Sequence, residues 1–177
     1  MSPGPAIWFH GHMVDIVPAD LGDLGLTSFL QEHLDDMAPT APPESRHALD
    51  LEALQRPDVR LWTALDGRTT IGTVALVEIE PGHDELKSMR TAPSRRGEGI
   101  ARQLLAHALE DARSRVVTRI SLETGSMEFF APARGVYRRA GFRECPPFGS
   151  YVEDPHSVFL TYDLSRHEPS AASSVRS

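Results

Sequence analysis

The 177-residue chain has little sulfur to work with: Cys145 is its only cysteine. One thiol closes no intrachain disulfide, and there is no CxxC pair to hold a metal, so the cysteine usage fits a reducing cytoplasm. Long apolar runs are missing as well, and nothing approaches the ~18 residues that cross a bilayer. The opening MSPGPAIWFHGHM lacks a positive n-region and an unbroken apolar h-region, so it is not expected to be a signal peptide. Positive charge is scarce: 18 Lys and Arg stand against 25 Asp and Glu, a net charge of -7. Such a chain is a poor general binder of polyanions, which argues against nucleic acid as a partner. No internal repeat is present.

What is there has ordinary globular proportions, 40% apolar and 24% charged, in a length that suits one domain with a sizeable core. The domain is expected over residues 13–164. Residues 1–12 read as a flexible N-terminal extension or a cloning remnant, because Gly11-His12-Met13 resembles a junction. The Ser- and Ala-rich tail 165–177 is expected to be disordered.

Met13 to Val17 reads as a short strand ended by Pro18, and Leu26, Phe29, Leu30, Leu34 and Met37 put a helical face on the segment from Asp20 to Met37. Prolines break the pattern after it, and Leu49 to Leu54 reads as a short helix. Three strands follow: Val59 to Leu65, Thr70 to Ile79 and Glu85 to Thr91. The turns Asp66-Gly67 and Pro81-Gly82 join them, so they are expected to be antiparallel neighbours. Ile100, Leu104, Leu105, Ala108, Leu109 and Ala112 mark an amphipathic helix. The strand predicted after it, Val116 to Thr124, favours a parallel pair with a right-handed crossover. Pro132 opens a further helix that Gly141 closes, and Phe142 to Phe148 and Ser157 to Leu164 read as a closing pair of strands.

The stretch Met89 to Leu105, MRTAPSRRGEGIARQLL, departs from ordinary helix chemistry. It puts two glycines at a helix start, where glycine costs about 1 kcal/mol against alanine. It also puts Arg95 and Arg96 at the end whose dipole disfavours cations. A P-loop would need Lys-Ser or Lys-Thr after the second glycine, and a dinucleotide fingerprint would need a third glycine; neither is present. A helix start that is simply glycine-rich is one reading. The other is an anion site: no Ser, Thr or Asp stands at Gly97 to Ala101 to cap the first N–H groups, and the glycines open a close approach. The arginines then serve the anion.

Arg96-Gly97-Glu98-Gly99-Ile100-Ala101 matches the R/Q-x-x-G-x-G/A signature, and Ala133-Arg134-Gly135-Val136-Tyr137-Arg138-Arg139-Ala140-Gly141-Phe142 matches A-R-x-x-Y-x-x-x-G-F. On these two motifs, with a strand between them, the chain resembles the GCN5-related N-acetyltransferases from about Val14 to Leu164. The resemblance implies an α/β (α+β) fold: a mixed, mostly antiparallel twisted sheet of about seven strands, with strands 4 and 5 parallel and splayed, flanked by about four helices. It implies acetyl-CoA as co-substrate, with no metal. Met89, Arg90 and Thr91 would offer a backbone edge to the pantetheine arm. The N–H groups of Gly97, Glu98, Gly99, Ile100 and Ala101 would cradle the pyrophosphate, with Arg95, Arg96 and Arg102 as phosphate partners, Arg96 first among them.

By the same resemblance Tyr137 is the general acid, since a phenol is protonated at neutral pH. The general base is Glu85, with Glu123 as rival, Glu78 as a third choice and a water chain as a fourth. Many members carry Asn seven residues before the tyrosine; here that position is Phe130. Cys145 is expected to be a small packed residue, not a nucleophile. The acceptor pocket is expected between the segment from Leu34 to Leu51 and the loop PFGSYVEDPH. Asp35, Asp36, Glu44, Asp50, Glu153 and Asp154 would draw a cationic amine, or be a solvated surface; Arg46 or Arg90 would hold a carboxylate if the acceptor is an amino acid. His47 and His156 are not read as a metal site.

The expected activity is direct transfer of acetyl to a primary amine of a small molecule in a ternary complex. A protein or peptide N-acetyltransferase, or an acyl-CoA sensor without chemistry, are the alternatives. The partners expected are acetyl-CoA and an amine, with no nucleic acid and no membrane; a homodimer stays open.

Overall fold

The computed structural model describes residues 14–40, 42 and 49–165. The expectations for residues 1–12 and the end of the tail, and those on Met13, Glu44, Arg46 and His47, lie outside the described residues. Strand β1 (Asp15–Pro18) leads to helix α1 (Leu24–Met37). The helix starts later than its apolar pattern suggested because Asp23 caps it, its carboxylate accepting from the N–H groups of Gly25 and Leu26. Strands β2 (Val59–Asp66), β3 (Thr69–Glu80) and β4 (His83–Thr91) form an antiparallel meander. Helix α2 (Ile100–Ser114) crosses over to β5 (Arg119–Gly125), and α3 (Ala131–Ala140), β6 (Arg143–Glu144) and β7 (Ser157–Asp163) complete the chain. No helix among the described residues is long and apolar enough to cross a membrane.

Three expected elements change. Leu49 to Leu54 contributes only a short 3-10 turn at Ala53–Gln55, so three α-helices flank the sheet among the described residues instead of about four. Strand β5 begins at Arg119 and not Val116, because Val116 is 81% exposed and adopts a left-handed φ of 63°. Of Phe142 to Phe148 only Arg143 and Glu144 pair as a strand.

The seven strands lie in the order β1-β2-β3-β4-β5-β7-β6. Residues alternate between the faces of a strand, and β3 shows it: Val74 and Leu76 join one core while Ala75 joins another. On the first face the stripe Ile100, Leu104, Leu105, Ala108, Leu109 and Ala112 of α2 packs into the main core with Ile71, Leu86 and Ile120. On the second, Leu26 and Leu30 of α1 close a smaller core with Leu54, Leu61 and Ala75. Each fully buried Leu or Ile contributes about 1.5–3 kcal/mol, and this anchors both helices to the sheet.

Two local features open the sheet at its centre. The parallel pairing of β4 with β5 is confined to His83–Glu85 against Arg119–Ser121. Beyond it β4 continues with β3 and β5 with β7, so a gap widens between them. The register of β3 with β4 also jumps, from Ala75 opposite Lys87 to Thr73 opposite Arg90. Ser88 makes this bulge with a φ of 51°, and the Thr73 hydroxyl donates to its carbonyl at 2.8 Å. The extra residue puts Arg90 on the same face as Glu85 and Lys87, the α1 face.

Candidate active site

The glycine-rich helix start has backbone reasons for its composition. Gly97 and Gly99 adopt φ of 86° and 80°, which L side chains avoid. A Cβ on Gly97 would meet nothing within 4 Å, and one on Gly99 only the Arg102 guanidinium at 3.8 Å. The space above the loop is therefore open. Gly99 is the N-cap of α2 and no side chain caps it. The N–H groups of Gly97, Glu98 and Gly99 meet no backbone acceptor among the described residues. Together with the first N–H groups of α2, at Ile100 and Ala101, they form a concave donor set at a positive helix end, which suits an anion. The Ile100 side chain is in the core, so only its N–H is on offer.

The arginines divide. Arg96 and Arg102 are exposed beside this loop. Arg95 is turned away from the role expected of it: its Nη1 is 2.7 Å from Asp66 and its Nε 2.8 Å from Glu98. Two carboxylates already neutralise it, and Glu98 is left to contribute its backbone.

On β4 the backbone of Met89, Arg90 and Thr91 lies beyond the parallel pairing, along the gap to β5. Met89 packs on the main core. The Arg90 side chain is buried and runs to α1, with Nη1 2.8 Å from Asp36, Nη2 3.8 Å from Glu32 and the guanidinium 5.1 Å over the Phe29 ring. His33 shares this face of α1. Burial, and then the nearby Arg90 charge, lower its pKa to about 4.

The two carboxylates proposed as bases flank the gap. Glu85 is 6% exposed and is the last residue of β4 that pairs with β5. Its Oε1 accepts from the Tyr151 hydroxyl at 2.5 Å and lies 2.9 Å from the Lys87 ammonium. Lys87 also donates to the Tyr151 oxygen at 2.9 Å. Glu123, across the gap on β5, accepts from the Ser157 hydroxyl at 2.6 Å. Burial raises the Tyr151 pKa, and the charges of Glu85 and, least, Glu123 raise it further. Tyr137 comes from α3, packs on Phe142 in the main core, and has its pKa raised by burial and then by Glu123. Glu78, the third choice, is exposed on β3.

Two participants were not picked out by sequence. Lys87 belongs to neither motif, although the alternation Glu85-Leu86-Lys87 on a strand puts it beside Glu85. Tyr151 lies in the loop PFGSYVEDPH, and its bond to Glu85 spans 66 positions, beyond any local pattern. Phe130 is buried against the end of β5, its ring where a Cβ on Gly125 would fall. Arg134 of the second motif braces the same corner by donating to the carbonyls of Gly125 at 2.6 Å and Met127 at 2.9 Å. His156 is engaged by Asp154 at 3.0 Å.

Known proteins resemble this chain in sequence and fold. The profile of the acetyltransferase (GNAT) family matches residues 26–142. The N-acetyltransferase YsnE of Bacillus subtilis is 47% identical over 145 residues, 82% of this chain and 96% of that one. An IAA acetyltransferase of Azospirillum brasilense is 37% identical over 136 residues, 76% and 86% of the two chains. The PaiA N-acetyltransferase of Thermoplasma acidophilum, solved with coenzyme A, shares the fold with a TM-score of 0.65 at 16% identity, over 85% of this chain and 99% of that one.

Proposed function

The chain belongs to the GNAT family of acetyltransferases and is an N-acetyltransferase; from that premise we propose that it moves acetyl from acetyl-CoA directly to a primary amine of a small molecule. One observation carries the small-molecule reading. Tyr151 brings the loop before β7 back over the β4–β5 gap and roofs Glu85, leaving it 6% exposed. A polypeptide acceptor would need an open groove there, whereas an enclosed polar end suits a compact amine.

The donor set at Gly97 to Ala101, with Arg96 beside it, fits a pyrophosphate, and the backbone of Met89 to Thr91 fits a pantetheine arm. Acetyl-CoA supplies an acetyl group activated as a thioester. The chain's own residues then have two proton tasks. One is to take a proton from the acceptor ammonium; Glu85 serves, directly or through the Tyr151 phenol that donates to it, with Glu123 on β5 as the second carboxylate. The other is to give a proton to the departing thiolate; Tyr137 serves, because burial keeps its phenol protonated. Burial also raises the Cys145 thiol, which disfavours a thiolate nucleophile.

The test is a panel of primary amines with acetyl-CoA, read by thiol release and by the mass of the N-acetyl product. Acetylation of compact amines is the expected result. No release with any amine, despite acetyl-CoA binding, would replace this reading with the sensor, and acetylation of peptides alone would replace it with a polypeptide acceptor.

A further inference from the structure

We propose that the acceptor carries an acid group beside its amine, as an amino acid does, and that Lys87 recognises the acid. This rests on the small-amine reading above and narrows it. The amine end of the site is acidic, with Glu85 and Glu123 flanking the gap. An ammonium drawn to Glu85 also meets the Lys87 ammonium, which lies 2.9 Å from Glu85 Oε1 and is only 14% exposed. Two like charges a few ångströms apart in a partly buried site repel strongly. A simple alkylamine would have to compete with Lys87 for the same carboxylate oxygen. A carboxylate one or two carbons from the acceptor nitrogen changes the sign of that interaction: its oxygens meet Lys87 while the nitrogen meets Glu85.

The positions of the cations support this. Lys87 follows Glu85 on the same face of β4, so an acid and a base stand side by side there. The Ser88 bulge then brings Arg90 onto that face, held from α1 by Asp36. Asp36 and Glu32 already offset the Arg90 charge, so recognition of the acid falls to Lys87. Tyr151 holds Lys87 in place, its hydroxyl oxygen accepting from the ammonium at 2.9 Å.

The experiment compares matched acceptors: L-amino acids, the amines left when their carboxyl group is removed, and their amides. Wild type, Lys87→Met and Lys87→Arg are each assayed for kcat/KM, with the acetyl-CoA-induced rise in Tm as the check on folding. Wild type is expected to favour the acid-bearing member about tenfold or more, through KM. Lys87→Met should erase that preference and Lys87→Arg should keep most of it. Equal use of both members by wild type, or a preference that survives in Lys87→Met, would overturn the proposal. Should Lys87→Met not fold, the wild-type comparison and Lys87→Gln decide in the same way. No turnover with any member of any pair would overturn the small-amine reading itself, a result distinct from equal turnover.

Discussion

Replacing Gly97 and Gly99 together by alanine separates the two things these residues do. Both sit at positive φ, 86° and 80°. An L-residue there costs about 1–2 kcal/mol, offset by about 0.4–1 kcal/mol from the stiffer unfolded chain, so roughly 1 kcal/mol of stability is lost at each site. At about 2–4 °C per kcal/mol for a domain of this size, the free protein should melt ~4–8 °C lower. The new methyl on Gly97 meets no protein atom, so no core rearrangement adds to this. Binding changes for a different reason. If the loop relaxes toward negative φ, the N–H groups of 97–99 rotate away from the anion, and each lost charge-assisted bond is worth ~1.5–3 kcal/mol. One such loss weakens acetyl-CoA at least tenfold. In thermal melts at 100 times the wild-type Kd, the stabilisation from ligand should drop from about 2.7 to about 1.4 kcal/mol, roughly halving the ligand-induced shift. A double variant that melts lower but retains the full shift would refute the cradle, because strain would then be the glycines' whole purpose.

Tyr137→Phe should lower kcat by ~10- to 1000-fold while the acetyl-CoA-induced Tm shift stays within a degree or so of wild type; an unchanged rate removes it as the acid. Because burial and Glu123 raise the Tyr137 pKa, the wild-type rate should not fall between pH 7 and 10 from loss of this proton. Burial lowers the His33 pKa to about 4, so the unfolded chain binds more protons than the folded one between about pH 6.5 and 4. Stability is then complete above pH 6.5 and falls as pH drops through that window, by on the order of 3 kcal/mol, and His33→Gln should flatten the slope in urea melts. Asp84 is 1% exposed and Arg115 Nη2 lies 2.6 Å from it. Arg115→Met should cost about 3–5 kcal/mol by stranding that carboxylate, and adding Asp84→Asn should recover part of it. Cys145→Ala should leave kcat within about twofold, whereas loss of turnover with an acetyl-cysteine adduct in wild type would establish a covalent route.

What could be read from the chain without coordinates follows the range of each signal. The signal for the proposed anion cradle is local: the glycines, the missing cap and the helix stripe all fall between Arg96 and Ala112, and one helix start unites them. The meander is nearly as local, since Asp66-Gly67 and Pro81-Gly82 specify short antiparallel connections. The acceptor end has no such locality. Tyr151 reaches Glu85 only because the loop between β6 and β7 folds back over β4, and Glu123 comes from β5, well away in sequence.

The Ser88 bulge shows most directly why the remainder was hidden. With strict alternation, Glu85, Lys87, Met89 and Thr91 would share one face of β4, and Arg90 would point to α2 and the main core. Serine is not a residue whose presence signals a left-handed φ, so nothing in KSMRT predicts the flip. The bulge sends the Arg90 side chain to Asp36 and Phe29, where it ties α1 to the strand. Arg90 is thereby divided: its backbone belongs to the edge proposed for pantetheine, and its side chain to the wall of the proposed acceptor site. A substitution such as Arg90→Ala would loosen α1 as well as change the site's charge, and so could not separate the two roles. Lys87 lies before the bulge, between the last parallel pair and Ser88, where its charge can be removed without cutting the tether to α1. The chemistry of the acceptor is therefore best interrogated at Lys87, and the position of α1 at Arg90.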